Sequence, residues 1–246
     1  MRQVIFQDTE KIEFLDQRWY KMKGKEVYYP SVTTVLDAFP KPPQFFTWLK
    51  ENGQNADEIR DTAADVGSKV HNATEHYDNG NPLVWDDKQY SLLEWQLLCK
   101  YHEFTNRFKP ELIANEQSYC SEILQVGGTL DRVVRIGDKN WLIDIKTSNA
   151  VYEHYFVQLT AYYKMFIEVN PEIPIDHIGI LWLKAKTRTE GKSRTMQGIG
   201  WQMVMPDNTI EYYWDLWEAT YKLWRVQNPN AKPLNKVYPA TLQREF

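Results

Sequence analysis

The order in which hydrophobic periodicity changes along the chain predicts an α/β fold, with a central mixed β-sheet flanked by helices. Before residue 110, two long stretches repeat apolar residues every three or four positions. Three strand-like runs follow, then a helix, a strand, a further strand and a last helix. Aromatic residues make up 14% of the 246 residues, so apolar material does not limit the core. No internal repeat, low-complexity tract or interdomain linker interrupts the chain. The simplest organisation is one domain over 1–246: an N-terminal hairpin and short helices (1–55), a central core (56–185), then a basic loop, strand and C-terminal helix (186–246).

Each element has its own signal. Residues 1–30 alternate short apolar and polar pieces around Lys23-Gly24-Lys25, the pattern of a small β-hairpin. Ser31 follows Pro30 and starts a helix over Val32 to Ala38, ended by Pro40, Pro42 and Pro43. A short helix from Pro43 to Asn52 stops at Gly53. Ala56, Ile59, Ala63, Val66, Val70, Ala73 and Tyr77 then recur at alternating spacings of three and four, a long amphipathic helix. Asn79-Gly80-Asn81-Pro82 breaks the chain. A second helix from about Asp87 to Phe108 carries Tyr90, Leu93, Leu97, Tyr101, Phe104 and Phe108, and Pro110 closes it. Strands are predicted at 112–124, 129–136, 141–147, 176–184 and 199–205, with helices at 151–169 and from Asp207 to Gln227. On the last helix Ile210, Trp214, Trp217, Tyr221 and Trp224 share one side, the spacing of a buried stripe.

Leu142-Ile143-Asp144-Ile145-Lys146-Thr147 reads as a strand buried on both faces, yet it holds an acid and a lysine. Unpaired ions in such a place are costly, so a compensating partner is required. Asp144 and Lys146 are two apart and share a face. Gly137-Asp138-Lys139-Asn140 forms the turn of a hairpin between 129–136 and 141–147. With Ile136 opposite Trp141, Asp131 stands opposite Lys146 and diagonal to Asp144. Three charged groups then converge, and a divalent metal ion is the natural compensating partner. A D-x-K triplet alone is weak; the acid across the hairpin, and Gln158 and Tyr162 one turn apart on the next helix, strengthen it. His71 admits two readings. It is either a packed helix histidine, with Gly67 one turn earlier at a helix contact, or a ligand on a helix whose backbone something approaches closely at Gly67.

Composition excludes several classes. The net charge of −4 argues against a generic nucleic-acid coat while leaving room for a local basic groove. Cys99 and Cys120 are too few for a four-thiolate zinc or iron–sulfur site. Residues 1–8 lack the apolar run of a secretory leader, and no stretch reads as a membrane span, so a reducing, cytoplasmic setting is expected.

Taken in order, Gly67-x-x-x-His71, Glu116, Gly128-Thr129-Leu130-Asp131, Ile143-Asp144-Ile145-Lys146-Thr147 and Gln158-x-x-x-Tyr162 resemble the RecB-like branch of the PD-(D/E)xK nuclease superfamily. Pro30-Ser31-Val32-Thr33-Thr34-Val35-Leu36 looks like the entry motif of the mitochondrial genome maintenance exonuclease and its phage and bacterial relatives. The resemblance covers roughly residues 28–185, and it points to the branch without an iron–sulfur cluster. It implies a restriction-endonuclease-like core with Asp131, Asp144, Lys146 and Glu116 as catalytic residues. His71, Asp131, Asp144 and the carbonyl of Ile145 would bind Mg²⁺ or Mn²⁺, and Glu116 would serve a second metal or position a helix. Lys146 would orient or activate the attacking water. Gln158, Tyr162, Thr147, Ser31 and Thr33 would contact substrate, the first two also holding the lysine.

The chemistry suits these residue types independently. Phosphodiester hydrolysis needs a water made nucleophilic and a phosphate whose growing charge is neutralised. Two aspartates favour Mg²⁺ or Mn²⁺, and one imidazole tilts the site toward Mn²⁺. A lysine beside a metal is expected to have a lowered pKa. Lys184, Lys186, Arg188, Lys192 and Arg194 face one acid, Glu190. This segment carries +4 and the remainder of the chain −8. It reads equally as a phosphate-contacting arm, through Lys186, Arg188, Lys192 and Arg194, or as a solvated hairpin tip. Gly191-Lys192-Ser193 is no ATP loop, because the position needing the first glycine is Lys186. For the aromatic face of the last helix, core packing is favoured over a stacking platform for unpaired bases.

The expected activity is a metal-dependent DNA exonuclease acting on single-stranded ends, in phage or bacterial DNA processing, recombination or replication. Its location would be the bacterial cytoplasm, or the host cytoplasm if phage-encoded, with no membrane or ATP partner. The rivals are a structure-specific endonuclease of the same fold and a degenerate, non-catalytic nucleic-acid-binding protein.

Overall fold

Two β-sheets organise the chain in the computed structural model, which describes residues 4–14, 17–186 and 196–233. The smaller is antiparallel, β1 (Thr9–Phe14), β2 (Gln17–Met22) and β3 (Tyr28–Pro30), so a third strand joins the expected hairpin. The larger contains β4 (Glu111–Ser121), β5 (Val126–Ile136), β6 (Lys139–Lys146), β7 (His177–Trp182), β8 (Gln197–Gly198) and β9 (Trp201–Val204), in the order β4-β5-β6-β7-β9-β8. Only β6 and β7 pair in parallel, and α5 (Glu153–Val169) makes the crossover between them. The sheet is therefore mixed, as expected.

Helices cover both faces of this sheet. On one side α1 (Val32–Leu36), α5 and α6 (Ile210–Gln227) pack on Leu130, Val133, Leu142, Ile178 and Ile180. On the other, α3 (Ala56–Asp78) and α4 (Leu92–Phe108) pack on Val134, Trp141, Ile143, Ile145 and Leu181. Burial on both sides explains why β6 lacks polar alternation. The α6 stripe is core: Trp217 and Trp224 are buried, the latter 6.4 Å from Trp19.

Three expectations need correction. The β5–β6 turn is the two-residue Gly137-Asp138, with Gly137 at φ 63°, so Ile136 pairs with Lys139 and Val134 with Trp141. The register moves by two residues, which keeps every side chain on its expected face but sets Asp131 across from Asp144 rather than Lys146. Second, α4 begins at Leu92. A capping box fixes that start: Ser91 Oγ accepts from the Glu94 N–H, and Glu94 Oε2 accepts from the Ser91 N–H at 2.6 Å. Third, the apolar stripe of α3 is buried at Ala56 and then only from Val70 onward. Val70 is fully covered while Ile59 is 43% exposed, and residues 57–65 all face outward. The nearby α2 (Pro43–Asn52) likewise contributes no buried residue.

Candidate metal centre

The pairing of β5 with β6 places the two acids, and glycines upstream make room for what lies behind them. A Cβ on Gly128 would sit 2.5 Å from Tyr162 Cε1, so the ring of Tyr162 occupies the space a side chain would need. A Cβ on Gly127 would meet Tyr20 at 2.4 Å in the same way. Gly67 lies against Thr147: a Cβ there would be 3.5 Å from Thr147 Oγ1, an ordinary contact, so no neighbouring atom among the described residues demands glycine.

Asp131 Oδ2 accepts the backbone N–H of Ile145 at 2.8 Å and lies 3.3 Å from His71 Nδ1. The other ring nitrogen, Nε2, is 2.9 Å from the carbonyl oxygen of Ile145. Glu116 Oε1 is 3.8 Å from His71 Nδ1, and ligand atoms of His71, Glu116 and Asp131 all lie within 4.8 Å of one another. Three elements, α3, β4 and β5, thus deliver one donor each to a common point. Burial pushes the His71 imidazole toward neutrality, but Asp131 and Glu116 outweigh it and hold the pKa up at about 9. The cluster therefore selects a positive charge at its centre, the condition a cation site must meet.

Glu116 reaches this point through unusual backbone. It has φ 46°, left-handed for a non-glycine residue, a conformation that costs about 1–3 kcal/mol unless its surroundings enforce it. The enforcing partner is Arg132, which is 2% exposed. Its Nη1 donates to Glu116 Oε1 at 3.0 Å and to the Asp131 carbonyl at 2.8 Å. Nε donates to Asp78 at 2.5 Å, and Nη2 to Thr74 at 3.1 Å. Tyr101 adds a bond to the same Asp78 oxygen at 2.6 Å.

Asp144 stands beside this trio, outside it, and is 2% exposed. Lys146 Nζ lies 2.7 Å from Asp144 Oδ2, yet that buried oxygen receives no hydrogen bond of regular geometry. We read the contact as an ion pair rather than a directed bond. Burial raises the Asp144 pKa, Lys146 opposing it and Asp131 reinforcing it. Burial also works against the lysine's charge, but Asp144 and Asp131 prevail and raise its pKa. Lys146 Nζ further donates to Gln158 Oε1 at 3.4 Å, and Gln158 Nε2 donates to Tyr162 Oη at 3.0 Å. Gln158 and Tyr162 are both buried, so they hold the lysine from behind.

The remaining predicted residues are more scattered. Thr147 follows Lys146 and faces Gly67. Ser31 is 1% exposed and caps α1, its Oγ accepting from the Thr34 N–H at 2.9 Å and bonding Thr33 Oγ1 at 2.8 Å. It touches the centre only indirectly, through a β-bridge to Gly127. Lys186 is exposed; Arg188, Lys192 and Arg194 lie outside the described residues. Sequence reasoning passed over Arg132, Asp78 and Tyr155. An arginine inside the apolar run Leu130–Val134 was the available signal for the first.

No family model and no curated protein matches the chain. Among solved structures it is similar to one described as the crystal structure of SSO0001, with a TM-score of 0.37 and 16% identity over 83% of this chain and 79% of that one. A likeness of that degree defines neither fold family nor function. Among the described residues, no helix is long and apolar enough to cross a membrane.

Proposed function

We propose that this chain is a metal-dependent nuclease of PD-(D/E)xK type, with a restriction-endonuclease-like core, that hydrolyses DNA from single-stranded ends. The observation that carries this reading is the convergence of ligand atoms of His71, Glu116 and Asp131 within 4.8 Å of one another, beside the ion pair of buried Asp144 with half-buried Lys146 on the neighbouring strand. The left-handed backbone of Glu116 and the buried Asp144 oxygen without a directed bond support the reading.

The donor set fits a hard divalent ion. His71, Glu116, Asp131 and Asp144 would hold Mg²⁺ or Mn²⁺, with the imidazole favouring the latter, and the Ile145 carbonyl would join them by exchanging its contact with His71 Nε2 for the ion. Such an ion would supply Lewis acidity toward a phosphate oxygen and lower the pKa of a bound water. The chain's own groups account for the remainder. Lys146 Nζ, paired with the Asp144 carboxylate and donating to Gln158, would direct the attacking water or neutralise charge growing on the phosphate. Gln158 and Tyr162 fix the ammonium's position, so it need not reorganise as charge develops. Arg132 fixes Glu116 while remaining too buried to meet substrate.

End-labelled single- and double-stranded DNA, incubated with Mg²⁺, Mn²⁺ or chelator, tests the reading. Progressive shortening of linear single strands, abolished by chelator, is expected, with circular single strands left intact. Cleavage of circles would make the enzyme an endonuclease of the same chemistry. Binding with no cleavage in either metal would leave only a nucleic-acid-binding protein.

A further inference from the structure

Lys146 leads out of the candidate site along a series of aromatic rings. Its Nζ is 4.8 Å from the centroid of Tyr155, whose ring is 4.5 Å from His154 and 5.5 Å from Tyr152. Tyr152 and His154 lie nearly parallel, planes 12° apart and centroids 5.7 Å apart, and Phe39 follows His154 at 6.4 Å. Phe39, Tyr152 and His154 open onto a groove of about 670 Å³, closed on its other sides by Pro42 and by Leu216 and Leu223 of α6.

The walls specify a flat, uncharged occupant that belongs to a polyanion. Prolines 40, 42 and 43 restrict the backbone of one wall, so the slot is preformed. Its one lining acid is Glu153, whose carboxylate accepts the Tyr212 hydroxyl at 3.0 Å, and the exposed Lys41 adds positive charge. Burial, with Lys41 and Lys146 nearby, lowers the His154 pKa to about 4, so it presents a neutral ring at pH 7. A phosphate placed at Lys146 would lie one ring away from the groove, since Tyr155, over the ammonium, touches His154 of the groove wall.

We propose that this groove is a base-stacking subsite for the unpaired nucleotide adjoining the scissile phosphate, and that it confers the preference for single strands. The proposal rests on the nuclease reading above and adds the substrate element that reading lacks. A base inside a duplex is already stacked and paired, and it could enter only after leaving the helix.

The test is binding in chelator of a short single-stranded oligonucleotide bearing 2-aminopurine at its terminal positions. Stacking should quench its fluorescence. Tyr152→Leu combined with His154→Leu keeps the apolar area but removes the rings. It should relieve the quench and weaken binding about tenfold, the scale of aromatic stacking on one base. Tyr152→Phe with His154→Phe should restore both. An oligonucleotide made abasic at the same positions should lose the same factor on the wild type and nothing further on the leucine variant. Unchanged quench and affinity in a folded leucine variant would overturn the proposal, as would equal quenching by a blunt duplex. Metal-supported cleavage by the wild type separates the two ideas. Cleavage with a silent groove sinks the subsite alone, whereas ring-dependent quenching without cleavage in Mg²⁺ or Mn²⁺ sinks only the nuclease reading. No quenching together with no cleavage sinks both.

Discussion

Arg132 is a buried charge that joins its strand to two other elements, with Asp78 and Thr74 of α3 and Glu116 of β4 as its partners. Replacing it by Met would bury two carboxylates without their counter-charge. The expected cost is about 3–5 kcal/mol, the scale for breaking a buried ion pair, read as a lower urea midpoint. Arg132→Lys should recover little of it, because one ammonium cannot span the separated carboxylates that the guanidinium fork reaches. Equal stability of Arg132→Met and wild type would contradict the network. At this scale Asp131, Asp144 and Lys146 were legible, because a charge in a two-sided buried strand must be compensated. The same cost falls on Arg132, one position along from Asp131. Its partners Asp78 and Glu116 lie 54 and 16 residues away, and periodicity within one strand cannot name them. Glu116 became a site candidate only through resemblance, and the residues alone left His71 with two readings, since their meeting depends on how α3 and β4 approach β5.

Each helix shows how far local pattern carries. The three-and-four spacing from Ala56 to Tyr77 located α3 to within a residue, yet it could not say which turns have a sheet beneath them. Val70 is fully buried and Ile59 is 43% exposed. Val70→Ala should therefore cost about 1–3 kcal/mol, as a core truncation next to His71. Ile59→Ser should stay within about 0.5 kcal/mol of wild type, as a surface change. Denaturant melts of the two variants check this contrast, and similar losses in both would show that the first half of α3 is packed after all. The start of α4 was legible and missed: Ser91 with Glu94 is a capping box, but Tyr90 drew the helix backward because it is buried from the preceding turn. The β5–β6 turn failed differently. Gly137-Asp138-Lys139-Asn140 contains four turn-forming residues, and cross-strand pairing, a non-local property, uses only two of them.

For the whole molecule, the helix and strand order predicted a mixed sheet, but the order β4-β5-β6-β7-β9-β8 was not readable, because strand neighbours are chosen by packing between distant segments. One property of the folded state as a unit is its response to acid. His154 is held at about 4, below its ordinary 6.5, chiefly by burial and then by Lys41 and Lys146. Between those values the unfolded chain binds the extra proton, so this residue's contribution to stability is lost as pH falls from 6.5 toward 4. His154→Gln should accordingly lose less stability than wild type between pH 7 and 4.5 in urea unfolding. Parallel pH profiles would remove His154 as the cause. The central claim, that His71, Glu116, Asp131, Asp144 and Lys146 form one phosphodiester-cleaving centre, is tested most directly by Mn²⁺-supported cleavage of end-labelled single-stranded DNA by wild type beside folded Asp144→Ala and Lys146→Ala proteins. The account predicts shortening by the wild type and none by either variant; wild-type turnover in Asp144→Ala would contradict it.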